Sequence, residues 1–173
     1  LDKGKAVFDS KEALEAIRFY GRMLGNYGPT GVTNMSWENI MPLFQAGKIA
    51  MWTDASVFYG QIVDPSKSQV PAENVGIANF PAGPKGNTPF IVVSWGMSIA
   101  KQSKNKELAK DFIKWATSKE LAKRGMLANI TMARSSVWKD QEVRAKIHPS
   151  LIATQEYAAK YGIPYDRPYM SAV

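Results

Sequence analysis

The chain contains no cysteine and only one histidine among its 173 residues. Without cysteine it has no disulfide, no thiolate metal site and no cysteine nucleophile. The histidine, His148, lies between Ile147 and Pro149 at an expected helix end, which favours a capping or surface role over a catalytic base. The acidic residues show neither HExxH nor EF-hand spacing. We therefore predict that the protein is not an enzyme and needs neither a cofactor nor a metal.

Long hydrophobic runs are also missing. No apolar stretch approaches the roughly eighteen residues of a membrane span, and residues 1–5 lack the apolar core of a signal peptide. Hydrophobic residues make up 45% of the chain and charged residues 21%, which is ordinary for a globular protein. A chain of this length can bury one sizeable core or two small ones.

The formal net charge is +7, from 22 basic and 15 acidic residues, which would suit a nucleic acid or an anionic surface as partner. The basic residues are spread out, apart from one cluster at Lys101, Lys104, Lys106, Lys110 and Lys114. The last three fall four apart, so they line one edge of a helix whose opposite side is apolar. We interpret the cluster as a solvated helix face and expect no nucleic-acid partner.

Residues 44–56 combine a helix end, a tight turn and a strand-like run. Gly47 follows Phe44 where a left-handed helix cap would lie, a conformation that glycine adopts at no steric cost. Residues 49–51 are apolar, as expected of a strand covered on both faces. Trp52 and Asp54 stand two apart, which on a strand directs both side chains to the same side. An indole beside a carboxylate suits a sugar, because the ring covers C–H surface and the carboxylate accepts from hydroxyls.

Periodicity and capping signals elsewhere predict a mostly helical chain. We expect helices near residues 10–25, 36–46, 57–62, 105–116, 118–126, 139–147 and 150–161. Pro42 falls inside the second of these, so a bend or a later start is expected there. Residues 75–78 and 90–100 are the further strand-like runs, the second interrupted at residues 94–96.

Four stretches share a pattern with a known family: F-x-x-G-K-x-A-M at residues 44–51, and residues 75–84, 94–100 and 106–120. In this order and at this spacing they resemble the extracellular solute-binding proteins of bacterial ABC importers. The similarity is greatest to the carbohydrate-binding branch that includes the maltose-binding protein, and it covers most of the chain. The W-A-T-S sequence at residues 115–118 leans towards members that bind polyols or monosaccharides.

The resemblance implies an α/β, periplasmic-binding-protein-like (type II) fold with two lobes. Residues 1–97 would belong to the second (C-terminal) lobe, residues 98–164 would return to the first (N-terminal) lobe, and residues 165–173 would form a hinge crossing. The chain would then correspond to the C-terminal half of such a protein and cover parts of both lobes.

The resemblance also implies which residues bind a ligand. The predicted ligand-binding residues are Trp52, Asp54, Trp95, Gly96 and Arg134. Each has a structural alternative: Trp52 as a core aromatic, Asp54 as a helix N-cap, Trp95 with Gly96 packed under the hinge, and Arg134 on the surface. Weaker candidates are Trp37, Tyr59 and Asn129.

The expected function is that of the substrate-binding component of an ABC transporter. It would bind a small-molecule carbohydrate or polyol in a cleft between the lobes and deliver it to the membrane permease subunits. We expect a monomer in the periplasm, or an extracellular lipoprotein if the source is Gram-positive. The alternatives are a carbohydrate-active enzyme with an aromatic cleft, a basic nucleic-acid-binding protein, and a globular piece that binds nothing.

Overall fold

The chain divides into two units, Leu1–Trp52 and Thr53–Val173. A computed structural model describes residues 7–83, 86, 91–93 and 95–164. Each unit has its own helices, and the buried core lies in the second. No helix in these described ranges is long and apolar enough to cross a membrane.

The first unit contains two α-helices. Helix α1 (Lys11–Tyr27) begins at Ser10, whose Oγ accepts a hydrogen bond from the Ala13 N–H at 3.2 Å. It starts near the predicted residue and ends two residues after the predicted end at residue 25. No residue in it is buried, and most of its apolar side chains are exposed, among them Ile17, Phe19 and Tyr20. The amphipathic pattern thus predicts the helix correctly, although no other described residues bury its apolar face.

Helix α2 (Trp37–Gln45) follows a 3₁₀ turn at Val32–Asn34. It contains Pro42 and keeps the full predicted length, so the predicted later start is wrong. The helix ends as predicted at Gly47, which has φ 66°. The N–H groups of Gly47 and Lys48 donate back to the carbonyls of Phe44 and Leu43, both at 2.9 Å, and so satisfy the open end of the helix.

The second unit is dominated by helices. Its elements are a 3₁₀ turn at Ser56–Phe58, α3 (Tyr59–Ile62), a 3₁₀ turn at Ala72–Asn74, strand β1 (Ile91–Val92), α4 (Lys106–Ala116), α5 (Lys119–Leu127), α6 (Ser135–Trp138), α7 (Gln141–Lys146), α8 (Pro149–Tyr161) and strand β2 (Ile163–Pro164). Strand β1 pairs with β2 in parallel, with Ile91 opposite Ile163.

Polar side chains cap three helices of this unit, α5, α7 and α8. Ser118 Oγ accepts from the Leu121 N–H before α5, and Asp140 Oδ1 accepts from the first N–H groups of α7. His148 Nδ1 accepts from the Ser150 N–H at 3.2 Å and caps α8, which confirms the capping role predicted for the histidine. Local side chains therefore fix where these helices begin.

The hydrophobic core lies among α5 to α8. Its buried residues are Ala122, Met126, Val137, Val143, Ile147, Leu151 and Ile152. Helix α4 contributes little to it: Leu108, Phe112 and Trp115 are exposed along one side, and the Phe112 and Trp115 rings pack on each other at 5.6 Å. Four short helices thus enclose one small core.

The strand predictions fare worse than the helix predictions. Residues 49–51 form no strand, and Met51 is 81% exposed rather than covered on both faces. Val75 is buried, but residues 75–78 also form no strand, and residues 95–100 run without ladder bonds. Residues 90 and 94 of the longer predicted run lie outside the described residues. A strand exists only where a second segment accepts and donates its backbone hydrogen bonds, and among the described residues β1 and β2 alone form a ladder.

The end of α5 brings two distant segments into close contact. Asn129 takes the left-handed conformation, with φ 61°, and the N–H groups of Asn129 and Ile130 donate to the carbonyls of Met126 and Gly125. This is the six-to-one closure that usually carries glycine. The carbonyl oxygen of Asn129 lies directly against Gly60 of α3, where an added Cβ would overlap it. Gly60 is therefore the residue that permits this approach.

Two acidic residues converge on Lys123 between α5 and α7. Its ammonium lies 2.7 Å from Glu142 and 3.1 Å from Asp140. The hydrogen bond from Lys123 holds the pKa of Asp140 below its ordinary value of 3.8, and the bonds to Glu142 and Asp140 raise the pKa of Lys123. Because the folded-state pKa of Asp140 is depressed, its contribution to stability is present at neutral pH and lost as the pH falls through that pKa.

Replacing Asp140→Asn should lower the free energy of unfolding at pH 7 and reduce its loss on acidification below pH 4. The amide oxygen can still cap α7, so only the ion pair with Lys123 is removed. Urea unfolding of the full-length protein between pH 7 and pH 3 measures both effects. The control is Asp111→Asn, which removes an exposed pair with Lys114. Parallel pH curves for Asp140→Asn and the wild type would contradict the assignment.

Replacing Gly60→Ala should destabilise the full-length protein by about 1–3 kcal/mol, because the new methyl group overlaps the backbone carbonyl of Asn129. The matched control is Gly25→Ala in α1, where an added Cβ meets nothing within 4 Å. That change should be neutral or stabilise by up to about 1 kcal/mol through helix propensity. Thermal unfolding compares the two variants, and equal melting temperatures would refute the close contact.

Candidate functional site

Trp52 is the last residue of the first unit and is half-buried. Its ring packs against Phe44 of α2 with centroids 6.3 Å apart and planes tilted by 45°. The contact follows from the turn at Gly47, which folds the chain after α2 back along the helix. Trp52 thus combines a packed edge with exposed indole surface, so the core alternative holds only in part.

Asp54 opens the second unit on an exposed, irregular segment. Its Oδ1 accepts a hydrogen bond from the Ala55 N–H at 2.7 Å, just before the 3₁₀ turn at Ser56–Phe58. The N-cap of that turn is Ala55 and no side chain caps it, so Asp54 does not have the predicted N-cap role. Since residues 49–51 are not a strand, the argument that alternation places Trp52 and Asp54 on one side does not apply.

Ser56 connects the segment of Asp54 to two other parts of the second unit. The Thr131 hydroxyl donates to the Ser56 carbonyl at 3.2 Å, and the Gln155 amide of α8 donates to the Ser56 hydroxyl at 2.7 Å. Both bonds are partly buried, and a hydrogen bond is electrostatically stronger in such surroundings than in water. The Thr131 bond joins the segment of Asp54 to the loop of residues 128–134, and the Gln155 bond joins it to α8.

Tyr59 lies beside this junction, at the start of α3. It packs against the core among α5 to α8, and burial raises the pKa of its hydroxyl. A neutral phenol at physiological pH can donate or accept a hydrogen bond. Its position in the structure indicates a packing role.

Arg134 lies at the start of α6 and points to the end of α4. Its Nε and one terminal nitrogen donate to the Thr117 carbonyl at 3.1 and 2.9 Å. A cation on an open helix carbonyl is favourable for both charge and hydrogen bonding. The arginine therefore has a structural contact of its own, and only its remaining N–H groups are available to a ligand.

Trp95 is 96% exposed and Gly96 is exposed beside it, with open space where a Cβ would lie. An open groove of about 670 Å³ follows, between residues 97–98 and α4. Apolar side chains line most of it, including Met97, Leu108 and Phe112, and its polar lining is limited to two serines and Asn105. The indole is thus presented to solvent next to an apolar surface rather than packed under a hinge within the described residues.

The predicted ligand-binding residues differ in how hydrogen bonds connect them. Asp54 and the loop that carries Arg134 are linked through Ser56, whereas no described hydrogen bond or ring contact joins Trp95 to that junction. Sequence reasoning missed the residues that make the link, namely Ser56, Thr131 and Gln155. Ser56 and Thr131 stand in segments rich in polar residues, whereas Gln155 lies in an ordinary helix and no sequence pattern distinguishes it.

Metal ligands are not grouped in this arrangement. Among residues 7–83, 86, 91–93 and 95–164, no three His, Asp or Glu side chains come together in a way that would hold a metal ion. The polar groups near Asp54 are instead hydroxyls, amides and one carboxylate, which suit hydrogen bonding to a neutral polar molecule.

Solved structures share this fold. Maltose-bound MalE3 of T. maritima matches 99% of the chain with a TM-score of 0.84 and 25% identity, over 44% of its own length. A solute-binding protein of Agrobacterium vitis with bound D-mannitol matches 85% of the chain with a TM-score of 0.69 and 30% identity, over 37% of its length. The predicted α/β, periplasmic-binding-protein-like fold class is confirmed.

Sequence comparison points to the same family. The mannitol-binding protein of Pseudomonas aeruginosa is 35% identical over 122 residues, which are 70% of this chain and 28% of that protein. The chain thus spans between a quarter and a half of the length of these three proteins. Residues 2–123 match the family described as bacterial extracellular solute-binding protein. The chain therefore belongs to the bacterial extracellular solute-binding proteins.

Proposed function

We propose that the protein is the substrate-binding component of an ABC importer and that its ligand is a sugar or sugar alcohol. The observation that carries this proposal is the similarity to the Agrobacterium vitis protein with bound D-mannitol, at 30% identity over 85% of the chain. The similarity to a mannitol-binding protein of Pseudomonas aeruginosa supports the same ligand class.

In this proposal the ligand lies in a cleft between two lobes. Residues 1–97 belong to the second lobe, residues 98–164 to the first, and residues 165–173 to the hinge crossing. Ligand favours the closed arrangement, because only that state contacts it from both lobes. The protein acts as a monomer outside the cytoplasmic membrane, in the periplasm or as a lipoprotein, and the permease subunits bind its closed state.

The proposed ligand-binding residues divide into apolar and polar groups. Trp52 and Trp95 cover C–H surface of the ligand, and Gly96 lets it approach the backbone. Asp54 accepts hydrogen bonds from ligand hydroxyls. Arg134 adds donors from the part of its guanidinium that Thr117 does not occupy.

Two other functions compete with binding for transport. A carbohydrate-active enzyme would alter its sugar, which reaction product analysis after long incubation detects. A nucleic-acid-binding protein, suggested by the net charge of +7, would lose affinity steeply with salt, whereas binding of a neutral polyol would change little. Its relatives are binding proteins, which favours transport over both.

A ligand screen on the full-length protein tests the proposal. At about 100 times its dissociation constant, a true ligand should add roughly 2.7 kcal/mol to the free energy of unfolding. Thermal shift with a panel of hexitols, tetritols and monosaccharides measures this, and the recovered ligand should be chemically unchanged. If no carbohydrate or polyol raises the melting temperature, the proposed function is wrong.

Replacing Trp52→Ala or Trp95→Ala should weaken the ligand found in that screen by about tenfold or more, because apolar contact with an indole face is lost. Trp115→Ala is the matched control, since it removes another exposed indole far along the chain on α4. Calorimetric titration gives the dissociation constants. Unchanged binding by both Trp52→Ala and Trp95→Ala would refute the site while leaving the family intact.

A further inference from the structure

Ser56 accepts hydrogen bonds from two segments that are far from it in sequence. Its carbonyl receives the Thr131 hydroxyl at 3.2 Å across 75 residues, and its own hydroxyl receives the Gln155 amide at 2.7 Å across 99 residues. One donor stands in the loop after α5 and the other on α8. A single serine therefore ties three segments of the second unit together.

Asp54 is only two residues away from this junction. Its carboxylate is bonded to the Ala55 N–H at 2.7 Å, so carboxylate and backbone form one local turn that leads directly into Ser56. Gly60, in the same segment, lies against the carbonyl of Asn129. The segment from Ser56 to Gly60 is thus held to the loop after α5 at both ends, and Asp54 lies two residues before it.

We propose that Ser56, Thr131 and Gln155 are positioning residues that hold Asp54 in its ligand-binding orientation. This inference rests on the proposed function, in which Asp54 binds ligand hydroxyls. None of the three needs to touch the ligand. They fix the position of the Asp54 backbone relative to the loop of residues 128–134, which contains both Thr131 and Arg134.

The physical reason is the conformational entropy of an exposed segment. Asp54 is exposed and belongs to neither a helix nor a strand, so its backbone would sample many conformations if it were not tied down. Ordering such a segment during binding opposes affinity, whereas ordering it beforehand removes that cost. The two bonds at Ser56 provide this order without occupying the carboxylate oxygen that remains free for ligand.

Removal of one donor tests the attachment before any ligand is added. In the full-length protein, Gln155→Met keeps side-chain length on α8 but removes the amide that bonds Ser56. Amide hydrogen exchange of residues 53–58 should become about threefold to tenfold faster. Gln141→Met, the same change at an exposed position on α7, should leave it unaltered. Unchanged exchange in Gln155→Met would overturn the proposal.

Ligand affinity then distinguishes positioning from general loss of stability. With D-mannitol as the probe, Gln155→Met and Ser56→Ala should each weaken binding by about threefold to tenfold, and Ser56→Thr, which keeps a hydroxyl, should restore it. In a protein that already carries Asp54→Ala, the same changes should have less than about a twofold effect, because they act through the carboxylate.

The outcomes separate the two proposals. Equal weakening by Gln155→Met with and without Asp54→Ala would show that Gln155 does not act through Asp54, and the positioning role would be wrong. If the wild-type protein binds D-mannitol and Gln155→Met binds it equally well, only the positioning role fails. If the wild type binds neither D-mannitol nor any other polyol or sugar, the proposed function fails and the positioning role falls with it.

Discussion

The left-handed turn at Asn129 is the constraint from which the arrangement of the second unit follows. By ending α5 sharply, it turns the Asn129 carbonyl towards Gly60 and brings Thr131 to Ser56. The same loop continues to Met132, whose carbonyl accepts the Trp138 indole N–H at 2.7 Å at the edge of the core. One strained residue thus attaches an exposed segment to the buried helices, and the surrounding contacts hold it in a conformation that L-residues rarely adopt.

The helices other than α6 could be predicted from sequence because their signals are local. Ser118 and Asp140 cap helices within three residues of themselves, and Gly47 ends α2 in the conformation that glycine permits. The effect of Pro42 on α2 was the exception among the helix predictions. Proline removes one helical hydrogen bond, but a capping box at Ser36 and the turn at Gly47 stabilise the two ends of this nine-residue helix.

The strands and the polar junction could not be predicted in the same way, because they depend on residues far away in the chain. The apolar run at residues 49–51 has strand composition, but composition does not supply a hydrogen-bonding partner. Gln155 and Ser56 are 99 residues apart, and a glutamine in a helix resembles any other surface glutamine. For Arg134, the family resemblance implied a ligand contact, whereas the structure shows hydrogen bonds to the Thr117 carbonyl that the sequence did not indicate.

The candidate residues differ in the protein contacts that they would lose on binding a ligand. This difference indicates which role each residue has in the proposed function. Trp95 is almost fully exposed, so any contact with a sugar removes apolar surface from water at no loss of protein contacts. Arg134 must keep the Thr117 carbonyl satisfied, because an unpaired helix carbonyl is costly. Asp54 has one oxygen bonded to Ala55 and retains acceptor capacity. In the proposed function, affinity should therefore come chiefly from the indoles, and Asp54 with its attachment through Ser56 should determine which hydroxyl geometry is accepted.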